Sequence, residues 1–355
     1  MKSKVLLASH VYYTSSGPVH GPVNVLEDYL VHKKINYLSV KYPLTSGWPI
    51  VLKSFFEISA TLFRILMHRP DIFIGIDPLN AFAGVVFRKI GLLKKTVFYC
   101  VDYTPTRFTN KIVNSVYLWI DNFCAKNSDE VWNVSTRIVD LRKKQGVANE
   151  KIKFVPNSPV FGNCPRRKIA DVDRNRIVMV SGLTHGPALD LVLESFKKVH
   201  SKFPKTKLVI VGTGSYQRRL TRRIKTMGLV ESVILAGQLP NSELLTEVSK
   251  SALALSIYPR SKNYSWVYYG DSKKTREYLA CGVPVITTDV VSTCDDIKKY
   301  NAGTVIGLNE NELVDAVEKF LADKNFWLTA RKNSLKLAKR FDIGRILDKT
   351  LLPLL

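Results

Sequence analysis

The chain is short of acidic residues. It has only 30 Asp and Glu against 53 Lys and Arg, a formal net charge of +23 over 355 residues. That imbalance disfavours cationic partners and favours anionic ones: phosphorylated substrates, lipid headgroups or nucleic acid. Cysteine is scarce too. The five cysteines form no Cys-x-x-Cys pair, which argues against a disulfide framework or a zinc site and fits a reducing compartment. No His or carboxylate cluster has metal-ligand spacing, so no metal is expected. Long apolar runs are missing: Asp77 interrupts 72–87, and Glu57 and Arg64 interrupt 50–67. No span reaches the roughly 18 apolar residues of a membrane helix. The first apolar run is only about six residues, too short for a signal-peptide core. A cytoplasmic protein is expected, with peripheral attachment to an anionic membrane surface at the inner face kept open by the charge. No nucleic-acid motif is present, and no nucleic-acid partner is expected.

What is present is an alternation of short β-rich runs and helical patterns. KVLLAS (4–9), INYLSVKY (35–42), DIFIGID (71–77), KTVFYCVD (95–102) and EVWNVS (130–135) read as strands separated by helices. The proline-rich, charged stretch 154–176 reads as a linker. The pattern then restarts with RIVMVSG (176–182), KLVIVGTG (207–214), SVILAGQL (232–239), ALALSIYP (252–259), PVITTD (284–289) and AGTVIG (302–307). The expected fold class is α/β, with two Rossmann-like doubly wound domains facing across a cleft. The expected boundaries are 1–160, 161–330 and a helical tail at 331–355 that returns to the first domain.

The segment YYGDSKKTREYLACGVPVITTD (268–289) carries the clearest chemistry. Gly270 and Asp271 form a loop, Ser272 suits an N-cap, and Lys273, Lys274 and Thr275 open a helix. A helix N-terminus attracts anions, so lysines there point to a bound phosphate. Glu277 lies one turn on, placed to accept sugar hydroxyls. A solvated surface helix is the competing reading. TREYLACGVPVITT resembles the nucleotide-sugar signature of retaining GT-B glycosyltransferases of the family 4 type. The resemblance implies that Glu277 holds the ribose of a nucleoside-diphosphate sugar. Tyr269 stands where the family has a first Glu, eight residues earlier, and Lys274 matches a related variant with Lys three residues before the second. KLVIVGTGSYQRRL, with Gly212 and Gly214, is similar to the family's strand and glycine turn. LAGQLPNSELL, with Gln238 and Leu239, is similar to the segment that meets the base. GPVHGP, with Gly17, His20 and Gly21, stands where the family has its glycine-rich first loop. Leu183 and Pro187 replace the family's usual Arg and Lys, and this leaves His185, Tyr258, Arg260 and Lys262 as further candidates to line the donor.

Outside that segment, Asp102 in VDYTPTRF (101–108) ends a strand. In the family a His-Asp pair stands there; here it is Val101 and Asp102. Asp102 is the expected catalytic or orienting carboxylate, beside a turn-capping alternative. Arg107 suits an acceptor phosphate or a structural ion pair. Asp77 also ends a strand, where a turn before Pro78 is an equal reading, and His10 suits a core or a cleft wall. The glycines of VGTG fit a tight turn as well as a phosphate cradle. Asp171 and Asp173 match an Asp-x-Asp metal motif only out of context. Aromatics such as Phe55, Phe56, Phe63, Tyr117 and Trp119 lie on helical patterns, for sheet packing or for a membrane face. The expected activity is transfer of a sugar to a saccharide or lipid-linked acceptor, metal-independent and with retention. A non-catalytic pseudo-transferase, a basic binding protein and a nucleotide-sugar epimerase on the same fold are the alternatives.

Overall fold

The computed structural model describes residues 5–11, 13–14, 17–18, 21–43, 50–184, 186–259 and 265–355. They form two compact units. The first comprises 1–157, 269–271 and 343–355; the second comprises 158–268 and 272–342.

The first unit runs β1 (Val5–Val11), the two-residue pair β2 (Tyr13–Thr14) and β3 (Gly17–Pro18), α1 (Pro22–His32), β4 (Tyr37–Pro43), α2 (Ile50–His68) and β5 (Ile72–Ile76). It continues through α3 (Pro78–Lys89), β6 (Lys95–Cys100), α4 (Lys111–Asn127), β7 (Glu130–Asn133), α5 (Thr136–Lys144) and β8 (Ile152–Phe154). Six strands form one parallel sheet in the order β4-β1-β5-β6-β7-β8. Every residue of β5 is buried, as a parallel strand covered on both faces requires. Side-chain caps fix two helix starts: Asn110 accepts from Ile112 and Val113, and Ser135 from Ile138.

The second unit runs β9 (Asp173–Val180), α6 (Gly186–Lys202), β10 (Lys207–Val211), α7 (Gln217–Thr226), β11 (Val233–Gly237), α8 (Asn241–Ser249) and β12 (Ser251–Ser256). Then come α9 (Ser265–Tyr269), whose last residue is counted with the first unit, α10 (Lys273–Ala280), β13 (Val285–Thr288), α11 (Thr293–Tyr300), β14 (Gly303–Ile306), α12 (Glu310–Ala322) and α13 (Lys324–Arg340). Its parallel sheet is ordered β11-β10-β9-β12-β13-β14. Two apolar clusters pack on it, one including Leu193, Phe196 and Trp327, the other Tyr278, Leu279 and Val283.

The two doubly wound sheets match the fold class expected from the sequence. Two details differ. β8 is a sixth strand at the edge of the first sheet, ending at Phe154, where the expected linker begins. β9 starts at Asp173, inside the same stretch, because Asp173 pairs with Ser251 of β12. The last helix, α14 (Ile343–Thr350), lies in the first unit. There Asp348 accepts from the Tyr29 hydroxyl at 2.7 Å and meets Lys33 at 2.7 Å. The boundary read at 331 falls within α13, which stays in the second unit through the buried Trp327 and Leu337.

Candidate active site

In open parallel sheets, ligands sit beyond the strands' carboxyl ends where the strand order reverses. In the second sheet that point lies between β9 and β12. The start of α10 is pinned there. Ser272 caps the helix: its Oγ accepts the Thr275 N–H at 3.3 Å and the Thr275 hydroxyl at 2.8 Å. The Tyr258 hydroxyl lies 2.7 Å from Ser272 Oγ, and Ser256 Oγ lies 2.7 Å from Thr275 Oγ1. From β9, the Val180 N–H donates to the Tyr278 hydroxyl at 2.7 Å. The other end closes on Gly282 at φ 75°, with Gly282 N–H donating to Leu279 O and Val283 N–H to Tyr278 O. This is a Schellman end, which needs a left-handed residue. Arg331 then donates to the Gly282 carbonyl at 2.6 Å.

This helix concentrates charge at its start. Glu277 is only 5% exposed, and Lys273 Nζ stands 3.5 Å from its Oε1. Burial pushes the Glu277 carboxyl above the usual range, while Lys273 and Lys274 pull it back. Burial pushes the Lys274 ammonium below the usual lysine range, with Glu277 opposing. First-turn N–H groups have no carbonyl partner within their helix, and the dipole there repels cations. Two lysines on that turn beside a buried carboxylate suit a ligand that is anionic at one end and hydroxylated at the other.

The other residues named from the sequence have varied placements. Gly212 adopts φ 138°, and a Cβ on it would lie 1.9 Å from Ser181 O. A Cβ on Gly214 would lie 2.3 Å from Leu183 O. Close passage of the chain after β9 thus accounts for both glycines. An open groove of about 660 Å³ borders Gly214, Ser215, Gln217, Arg218 and Thr221. Gln238 and Leu239 follow β11, beyond its carboxyl end. Asp271 is engaged: it accepts the Asn157 N–H at 2.8 Å, and its carbonyl accepts from Asn157 Nδ2 at 3.2 Å. Tyr269, just before Gly270, accepts the Ser135 hydroxyl at its carbonyl (2.5 Å) and packs edge-on against Tyr103. Asp173 accepts the Asn175 N–H at 2.9 Å, a local role at the start of β9. Among the described residues, no three His, Cys, Asp or Glu side chains are grouped to hold a metal. His20, His185, Arg260 and Lys262 lie outside the described residues.

In the first unit the strand order reverses between β1 and β5. His10, near the end of β1, has its Nδ1 3.0 Å from Asn80 Nδ2 and its Nε2 3.0 Å from Glu57 Oε2. Asn80 must donate, so the ring presents its proton to Glu57. Asp77 follows β5 at φ 73°, ψ 156°, a strained backbone for a residue other than glycine. Its Oδ1 is buried and has no hydrogen-bond partner among the described residues. Burial, then the charge of Asp102, pushes its carboxyl up to about 6 against the opposing pull of Arg107 and His10. Asp102 itself accepts from Arg107 Nη1 at 2.6 Å. Gly17 pairs with Thr14, and Gly21 opens α1, its N–H donating to Asn24 Oδ1 at 2.9 Å. Sequence reasoning missed a buried ion pair in which Arg142 grips both Asp121 oxygens and also reaches Cys100. Only an Arg in a helix and an Asp 21 positions earlier signal it.

Residues 165–339, which include the whole of α10, match the family model of glycosyl transferases group 1. Through them the chain belongs to the group 1 glycosyltransferases. The transferase is 23% identical to the uncharacterized glycosyltransferase MJ1059 of Methanocaldococcus jannaschii, over 84% of this chain and 73% of that one. It is 26% identical to the GDP-mannose-dependent alpha-(1-6)-phosphatidylinositol monomannoside mannosyltransferase of Mycolicibacterium smegmatis, over 42% of this chain and 40% of that one. Among solved structures, Anabaena Alr3699/HepE in complex with UDP superposes with a TM-score of 0.71 at 14% identity, covering 100% of this chain and 99% of that one. That likeness shows the GT-B fold. In this transferase the positions where family cations were expected are not cationic: Leu183 is buried, its carbonyl taking the Tyr216 N–H at 2.8 Å, and Pro187 lies in the first turn of α6.

Proposed function

We propose that this glycosyltransferase takes its sugar from a nucleoside-diphosphate sugar bound at the start of α10. The observation that carries the reading is the pairing of Lys273 and Lys274 with buried Glu277 on a helix start pinned at the switch point of the second sheet. In this reading Glu277 accepts the ribose hydroxyls. The N–H groups of Lys273 and Lys274, with the Lys274 ammonium, hold the diphosphate. The Thr275 N–H already serves the Ser272 cap, so it supports the helix start rather than the ligand. The helix start and lysines offset the charge of the departing diphosphate, so the reaction needs no metal. The first unit meets the acceptor, saccharide or lipid-linked, through Asp102 and the loop containing Gly17 and Gly21. Asp77 stands beside Asp102 as a second carboxyl able to hold a proton near neutral pH. Retention of configuration follows the family resemblance.

A thermal-shift panel of nucleoside diphosphates tests the donor reading. A ligand at ~100 times its Kd should stabilise the native state by about 2.7 kcal/mol. Glu277→Ala should shrink the shift. No shift with any nucleoside diphosphate, or one indifferent to Glu277→Ala, would overturn the assignment.

A further inference from the structure

The first unit carries an apolar groove that the donor site does not use. It runs between α2 and α4 over α3 and has a volume of about 430 Å³. Leu79 and Phe82 come from α3, Ile58 from α2, and Phe108, Val113 and Ile120 from α4 and the loop before it. Its rim is exposed, Phe55 65% and Ile112 77%, and Trp119, 58% exposed outside the lining, has its ring 6.5 Å from that of Phe82. The volume suits a small-molecule site, within the roughly 300–1,000 Å³ usual for those. Among the described residues its lining is apolar apart from Ser54 and Tyr117.

Polar groups gather at one end. Tyr117 lines the groove, and the Arg107 guanidinium lies over its ring at 5.6 Å. Arg107 binds Asp102 at 2.6 Å. Leu79, in the lining, is two residues past Asp77, and burial pushes the Tyr117 hydroxyl up, with Arg107 opposing and the nearby charges of Asp77 and Asp102 adding to it. The surrounding sequence is cationic: residues 50–127 hold ten Lys and Arg against five Asp and Glu. A long apolar trough, a polar end at the sheet's ligand position and a basic setting match one kind of molecule. A bilayer needs only a convex apolar face. A concavity that ends beside Arg107 suits a single chain with an anionic head.

We propose that the groove holds the hydrocarbon chain of an amphiphilic acceptor, with its phosphate at Arg107 and its reacting hydroxyl at Asp77 and Asp102. This rests on the transferase reading and names the acceptor class within it. The test is calorimetric titration of the full chain with dodecyl phosphate below its micelle concentration. Dodecanol supplies the chain alone, and inorganic phosphate the head alone. Val116→Asp and Ile112→Asp alter exposed lining residues, so folding should survive. Leu66→Glu alters an exposed residue of α2 outside the lining. Dodecyl phosphate should bind, either lining variant should weaken it by roughly tenfold or more, and Leu66→Glu should leave it unchanged.

Unchanged binding in the lining variants would overturn the proposal. So would loss of binding to anionic vesicles in Leu66→Glu equal to that in Val116→Asp, which would make the surface a bilayer face. A dimer dissolved by Val116→Asp would make it a contact between copies and likewise overturn the proposal. Dodecanol binding as tightly as dodecyl phosphate would remove the headgroup assignment. A parallel nucleoside-diphosphate titration separates the two readings. Nucleotide binding without amphiphile binding sinks the groove alone, and the reverse sinks the donor site alone.

Discussion

Replacing Asp77 with Asn should stabilise the protein at neutral pH and leave it unchanged in acid. Asp77 has an ordinary carboxyl pKa of 3.8 when unfolded and about 6 when folded, because burial and Asp102 disfavour its charge. The native state therefore binds more protons than the unfolded state between those values. The stability linked to this group is fully present below pH ~4 and is lost as pH rises through ~6. A shift of that size corresponds to about 3 kcal/mol, at ~1.36 kcal/mol per pKa unit. Asn is neutral, nearly isosteric and tolerant of positive φ. At pH 8 Asp77→Asn should gain up to about 3 kcal/mol, or roughly 6–12 °C in Tm for a unit of this size. Thermal unfolding of both proteins from pH 4 to pH 8 measures the difference. The gap should be near zero at pH 4, open between pH 4 and 6, and stay flat above. A gap independent of pH, or a variant less stable at pH 8, would refute the reasoning. Activity should fall in the same variant, since strained and destabilising groups persist where function uses them.

Three further outcomes follow from the same physical terms. Donor binding should draw Lys274 back to its charged form, so titration of a nucleoside diphosphate should take up protons at alkaline pH, and Lys274→Met should abolish the uptake; equal heats in buffers of different ionisation enthalpy would contradict this. Affinity should also fall in acid as the raised Glu277 carboxyl protonates, so a pH profile of Kd should be bell-shaped. Gly212→Ala should destabilise the second unit by about 3 kcal/mol or more, because its Cβ meets Ser181 O at 1.9 Å in a positive-φ backbone. Denaturant unfolding reads that loss, and a loss near that of an ordinary surface substitution would show that the close approach relaxes easily.

The strands were legible because parallel strands covered on both faces read as apolar runs, as IFIGI of β5 and SALALS of β12 do. β8 was not, since Ile152–Phe154 is three half-buried residues at a sheet edge and has no pattern of its own. The start of β9 was hidden for a related reason: Asp173 is polar and becomes a strand only through its pairing with Ser251. In the site, Ser272 could be read as a cap because capping is local chemistry. The hydroxyl contacts of Tyr258 and Ser256 could not, because they join positions 14 and 19 residues apart. The glycines of VGTG read as a turn or a cradle. Their demand for glycine comes from carbonyls of Ser181 and Leu183, about 30 positions upstream. Asp77 reads from the sequence as a strand end or a turn before Pro78; its positive φ and enclosed Oδ1 are products of the packed unit.

The proposed role of Glu277 is to hold the ribose of a nucleoside diphosphate. It is tested most directly by crossing a protein change with a ligand change. Calorimetric affinities of UDP, GDP and their 2′,3′-dideoxy analogues would be measured for wild type and Glu277→Gln. Hydrogen bonds to a charged group are worth about 1.5–3 kcal/mol. Wild type should therefore prefer the ribose form that it binds by roughly tenfold or more, and Glu277→Gln should lose most of that preference. Equal discrimination in the two proteins would contradict the account.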